Sequence, residues 1–222
     1  MSMDLAERVD DPLFDPDLQK VTESLDHREA VDVIALSAIL ALDAELRCVR
    51  DLNWYPTADM SVHLAPDIMV VPRAVLAERA KSYRQIELGG PPPSVVLEVP
   101  SHSNTVSEFA AKLRRVNAYG VVAYVVDVAE GAQAVLRYEA SSVAPIDWAD
   151  RRIPELGGIT IDFVDGALEV TGPNGISAST FDDIARLYAA IAATEAARAE
   201  AEAHRADELA AKLRALGHDP EG

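Results

Sequence analysis

Ser94-Val95-Val96-Leu97-Glu98-Val99 is a near-continuous apolar run broken by one carboxylate, and no other segment constrains the chain as much. A run of this length and β-branched content reads as a strand buried on both faces, the middle of a sheet with layers on either side. An ionisable group in such a strand costs several kcal/mol unless a cation or hydrogen bonds compensate it. Asp67 poses the same problem at the start of a second apolar stretch, Ile68-Met69-Val70-Val71. Taken singly, either acid could be a strand-end residue reaching solvent or capping the next helix. Taken together, two acids converging from adjacent strands repel each other unless a divalent ion lies between them. Mg²⁺ suits that arrangement, with Mn²⁺ as a substitute, because it takes one or two carboxylates and fills its other positions with water or phosphate oxygens.

The rest of the pattern predicts an α/β (α+β) chain with a mixed β-sheet core flanked by helices. Val33, Leu36, Ile39, Leu40 and Ala44 recur at helical spacing, predicting a helix over about 26–46 with Glu29 and Asp32 in its first turn. Residues 47–55 read as a strand or extended segment, 61–64 and 67–71 as two short strands or one bent strand around Pro66, and 75–83 as a surface helix or loop. After the Gly89-Gly90-Pro91-Pro92-Pro93 break and the Glu98 strand, residues 105–118 turn helical, with Val106, Phe109, Leu113 and Val116 on one stripe. Strands follow at 121–128 and 134–139, joined by a turn at Glu130-Gly131, then at 159–163 and 167–170 around Asp165-Gly166. From Thr180 the pattern is one long helix, rich in Ala, Glu and Arg, that closes with Leu209, Leu213, Leu216 and a Gly217 cap. We therefore expect an acidic lead over 1–21, one domain over 22–179, a long C-terminal helix over 180–217 and a short tail over 218–222. Such a helix buries little alone, so either it self-associates, making the protein a homo-oligomer such as a dimer, or it stands solvated. Its large apolar seam fails between Thr194 and Ala206.

Composition narrows the partners. The sequence carries 20 Lys and Arg against 37 Asp and Glu, a formal charge of −17. Residues 1–60 hold fourteen acids and five bases, whereas 61–189 hold sixteen and eleven, so the predicted core is the less acidic part. Acidity on this scale opposes tight non-specific binding of a phosphate backbone, although a local cluster such as Lys112, Arg114 and Arg115 can still contact phosphates. No stretch of about twenty apolar residues is free of charge, and the start lacks a basic and then apolar signal, so a cytoplasmic protein without a membrane association is expected. The single Cys48 excludes an internal disulfide and reads as a packed thiol.

Lys112 lies two turns into the helix that follows the Glu98 strand. If that face looks toward the sheet end, its ammonium can orient a water or stabilise charge growing on a phosphate; a helical lysine is otherwise solvated. His102 sits in the loop after Glu98, where an exposed histidine is the plainer account. Ser101 and Ser103, with Asn104 and Thr105, read as helix caps, since no Ser-His-Asp order accompanies them.

Pro66-Asp67, then Val95-Val96-Leu97-Glu98-Val99 with Ser101 and Ser103, then Glu108 and Lys112, then Val122-Ala123-Tyr124-Val125-Val126-Asp127 together resemble the Uma-two family of restriction-endonuclease-like proteins, part of the PD-(D/E)XK superfamily. The resemblance covers residues 27–188, and Leu213-Arg214-Ala215-Leu216-Gly217 with Asp219-Pro220 is similar to the coiled-coil ending of many members. It implies a restriction-endonuclease-like core that hydrolyses DNA phosphodiester bonds with Mg²⁺. Asp67 and Glu98, with the backbone carbonyl of Val99, would be the metal ligands. Lys112 would be the catalytic lysine carried on a helix, with Glu108 accessory before it and Glu29 an accessory acid at the start of the first helix; His102, by its place in the loop after Glu98, is a further accessory candidate. The chain departs from the family in that Glu108 stands where the family has Asp, Pro100 and His102 replace Leu and Pro around the serine, and Val116 stands where a Tyr often follows the lysine. The alternative is a protein that keeps the fold without the activity and serves as an oligomerising interaction module.

Overall fold

The computed structural model describes residues 25–101, 106–129, 132–139 and 146–216. They fall into two units divided between Ser179 and Thr180. In the first, α1 (Leu25–Ala41) precedes β1 (Leu46–Arg50), β2 (Asn53–Tyr55), β3 (Ile68–Pro72), β4 (Ser82–Arg84) and β5 (Val95–Glu98). Then come α2 (Val106–Ala118), β6 (Val122–Asp127), β7 (Ala134–Tyr138), β8 (Ile146–Asp147), β9 (Arg152–Ile153), β10 (Ile159–Val164), β11 (Ala167–Thr171) and β12 (Ser177–Ala178). The second unit carries α3 (Phe181–Ala215).

The main sheet has the order β1-β3-β5-β6-β7-β8. It is mixed, because β5 and β6 run parallel while β3 lies antiparallel to β5 and β7 antiparallel to β6. A parallel pair needs a crossover, and α2 supplies it. One face buries Met69, Val71, Val96, Ala123 and Val125 together with Leu113 and Val116 of α2 and with Trp54 and Tyr83 of the small parallel pair β2–β4. The alternate residues Ile68, Val70, Val95, Leu97, Tyr124 and Val126 are buried too, which is why the central strands read as unbroken apolar runs rather than as alternation. A mixed α+β core with a long C-terminal helix is the architecture observed.

Several local expectations need correction. The first helix ends at Ala41 rather than near residue 46, because Leu46 opens an edge strand paired with Pro72 of β3, and pairing outweighs the helical propensity of the intervening residues. Ser82 and Tyr83, the end of the stretch 75–83 read as surface helix or loop, belong to β4 instead. Residues 61–64 contribute a lone bridge, Trp54 to Leu64, rather than a strand. The 159–171 hairpin does not extend the main sheet but belongs to a separate antiparallel sheet, β12-β11-β10-β9. Its Asp165-Gly166 turn holds both residues at positive φ, 51° and 83°, the twist a two-residue hairpin requires. The acidic lead, the Glu130-Gly131 turn, His102 and the Gly217 cap with its tail lie outside the described residues.

Helix α1 packs on β1, β10 and β11, and its end is fixed by Gly157. That glycine has φ +76°, and a Cβ on it would lie 2.6 Å from the backbone carbonyl carbon and oxygen of Ala41. Gly157→Ala is expected to destabilise the protein by about 2–4 kcal/mol, adding left-handed strain to an overpacked contact. Urea unfolding checks this, and a loss below about 1 kcal/mol would contradict the close approach.

Candidate active site

Strand register assembles the site. Ile68 of β3 pairs with Leu97 of β5, so the residues one step further out, Asp67 and Glu98, face each other across adjacent strand ends. The two-residue period places Asp67 with Met69 and Val71, and Glu98 with Val96, all toward the face that α2 covers. Asp67 is fixed from the other side of the gap, where the Val99 N–H donates to its Oδ2 at 2.7 Å. On α2, Lys112 shares a stripe with Phe109 and Val116 and so points at the same sheet end. Its Nζ donates to Glu98 Oε2 at 2.6 Å. Glu98 is 1% exposed, whereas the Lys112 side chain keeps 30% of its surface in solvent.

The charge balance of this group is incomplete. Glu98 Oε1 is buried and receives no hydrogen bond, while the Asp67 carboxylate lies within interaction range of it. When both are ionised neither can donate to the other, and only a protonated Glu98 can hydrogen-bond to Asp67. Burial, with the Asp67 charge added and Lys112 opposing, pushes the Glu98 carboxyl up to about 8. For Lys112, burial acts to lower the pKa, but the carboxylates of Glu98, Asp67 and Asp51 more than reverse it and hold the ammonium above its usual range. The lysine therefore stays charged, and Glu98 Oε1 is left without a protein donor.

Asp51 is the site residue that reading the sequence misses. Arg50 pairs with Ile68 across β1 and β3, so Asp51 falls opposite Asp67, and its N–H donates to the Asp67 carbonyl at 3.2 Å. It turns there with φ +48°, a conformation that Asp tolerates better than most residues. Only the β1–β3 register would have revealed it. Among the other candidates, Glu108 is exposed on α2 one turn before Lys112, and Glu29 is partly buried on α1. Val99 enters through its N–H.

A divalent cation fits this group on the evidence of the undonated Oε1 beside a second carboxylate. Among the described residues no three His, Cys, Asp or Glu side chains form a ready-made metal cage. Mg²⁺ takes one or two carboxylates and keeps several waters, so a site with this few protein ligands is within its habit. Nor is any helix of the described residues long and apolar enough to cross a membrane. No protein-family model matches the chain, and no curated protein matches it. Among solved structures it is similar to a protein from Anabaena variabilis described as a candidate nuclease of the DUF820 group, at 15% identity and TM-score 0.44, over 60% of this chain and 75% of that one.

Proposed function

We propose that the protein is a Mg²⁺-dependent endonuclease that hydrolyses DNA phosphodiester bonds at Asp67, Glu98 and Lys112. The observation that carries this reading is a buried glutamate with one oxygen held by a lysine ammonium and the other left without a donor beside a second carboxylate. Asp67 and Glu98 would hold the ion, with the Val99 carbonyl as a further ligand. When bound, Mg²⁺ supplies positive charge to the scissile phosphate and to the oxygen that attacks it. Lys112, partly exposed, orients the attacking water or stabilises charge growing on the phosphate. Asp67 is aimed by the Val99 amide, and Glu98 aims Lys112. Nearby, Arg114 and Arg115 are exposed on the same helix, and Arg115 Nη2 donates to the His63 carbonyl. They give the DNA backbone a local basic contact on a chain of net charge −17.

That charge favours the second reading, an inactive fold used as an interaction module. Titration calorimetry with Mg²⁺ and Mn²⁺ separates the two. The endonuclease reading expects one ion per chain, abolished by Glu98→Gln. Binding must also displace the proton that Glu98 keeps below about 8, so affinity should rise by up to about tenfold per pH unit from pH 6 to 8 and level off above. Absence of binding at millimolar Mg²⁺ and Mn²⁺ would leave the module reading standing.

A further inference from the structure

Helix α3 opens with a capping box, in which the Asp183 N–H donates to Thr180 Oγ1 at 3.2 Å and the Thr180 N–H donates to Asp183 Oδ2 at 3.0 Å. Along its length two sequence patterns run side by side. From Ala185 to Ala210 every position at alternating spacings of four and three residues is alanine, and this stripe is exposed as far as Ala206. On its flank every seventh residue from Phe181 to Leu216 forms the series Phe, Tyr, Glu, Glu, Leu, Leu. The large apolar members sit at the two ends, with Phe181 51%, Leu209 60% and Leu216 75% exposed. A heptad seam with bulky ends and an alanine middle is a packing surface for another helix, and its small side chains let two axes approach to about 8 Å.

Charge decides the occupant and its direction. A parallel copy in register would set Glu195 against the partner's Glu200 and Glu202 against the partner's Asp207, each contact occurring twice and each repulsive. An antiparallel copy that sets Ala196 against the partner's Ala199 instead brings Arg186 to the partner's Asp207. It also brings Phe181 to the partner's Leu216 and Tyr188 to the partner's Leu209, so the exposed apolar residues at the two ends cover one another. The unfavourable contact of Glu195 with the partner's Glu202, which also occurs twice, is softened within each chain because Arg198 Nε donates to Glu202 Oε1 at 2.9 Å. Each of these contacts recurs with the two copies exchanged, as a two-fold axis requires.

We propose that α3 is the self-association surface of the protein, pairing antiparallel with α3 of a second copy about a two-fold axis level with Ala197 and Arg198. The proposal does not depend on the catalytic reading. Cysteine cross-linking of the full-length chain tests it, with Ala189→Cys and Ala206→Cys made singly and together. The native Cys48 is buried and its thiol is pushed up to about 12, so it stays silent. In the antiparallel pair residue 189 opposes 206 of the second copy and lies about 25 Å from its own equivalent, at ~1.5 Å per residue. Mild oxidation should therefore yield a covalent dimer at least tenfold faster from the double variant than from either single one. Equal cross-linking of Ala189→Cys alone would mean a parallel pair and overturn the proposal, as would a monomer mass by light scattering with no cross-link. Independently, Arg186→Glu should weaken the dimer about tenfold, and adding Asp207→Arg should restore it to within about threefold. A swap that restores nothing counts against the register.

Discussion

Exchange of Lys112 for methionine is expected to lower the rate of DNA hydrolysis in Mg²⁺ buffer by about 10²–10³, and Glu98→Gln or Asp67→Asn by at least as much. The first figure is the transition-state stabilisation that one preorganised donor supplies, about 3–4 kcal/mol. Lys112 is placed for that role because Glu98 holds its ammonium at 2.6 Å while part of the side chain still meets solvent. Arginine at 112 should not rescue the rate, since a planar guanidinium fills the space of a compact ammonium differently. The two carboxylate variants should act another way. The amides introduced by Glu98→Gln and Asp67→Asn keep the size of the native side chains but remove the charge that would hold the ion, so the loss should not recover with DNA concentration. Retained affinity for DNA in Lys112→Met, within a few-fold by fluorescence anisotropy, would assign the loss to the chemical step. If all three variants cleave within threefold of the parent, the proposed endonuclease does not exist at this site.

Glu98 was legible because a carboxylate in an apolar strand is an anomaly wherever the strand lies, and Asp67 because it begins a second such strand. Lys112 alone was unremarkable, since a helical lysine is usually solvated, and only the resemblance singled it out. Asp51 was not, since nothing in residues 46–55 shows which strand they pair with, and its position follows from the β1–β3 register and a positive φ. The same pairing ends α1 at Ala41, where residues 42–46 carry no breaker. Two-residue strands such as β9 and β12 are too short to show any period. Contacts between distant segments were equally hidden. Arg137 lies over the Trp148 ring at 4.6 Å and near the Tyr124 ring at 5.8 Å, while the Tyr124 hydroxyl donates to Glu155 Oε2 at 3.2 Å. These join residues from β6, β7 and the turns around β9 in a cluster that no local spacing announces. The alanine stripe of α3 escaped for the opposite reason. A search for large apolar residues passes over a seam built from small ones.

Glu98→Gln should stabilise the protein in chelator while removing its proposed activity, and the sign follows from the proton. The Glu98 carboxyl is raised from 4.5 to about 8 in the folded chain, by burial first and by Asp67, against Lys112. Between those values the folded state keeps a proton that the unfolded state has released, so the contribution of Glu98 is full below about 4.5 and is lost as pH rises through about 8, at about 1.4 kcal/mol per unit. The stability of Glu98→Gln relative to the parent should thus grow across that window to a few kcal/mol, since an amide has no proton to lose. The difference between the two proteins cancels the groups they share. Lys112→Met removes the charge that opposes the shift, so its decline should continue to higher pH, and in Glu98→Gln/Lys112→Met the slope should disappear. Excess Mg²⁺ should reverse the order of parent and Glu98→Gln, because only the parent gains stability by binding it. Urea unfolding at pH 5, 6.5 and 8.5, with chelator and with Mg²⁺, measures all of this. If parent and Glu98→Gln keep a constant separation across the range, the buried carboxylate is already satisfied within the fold and the need for a cation beside it falls away.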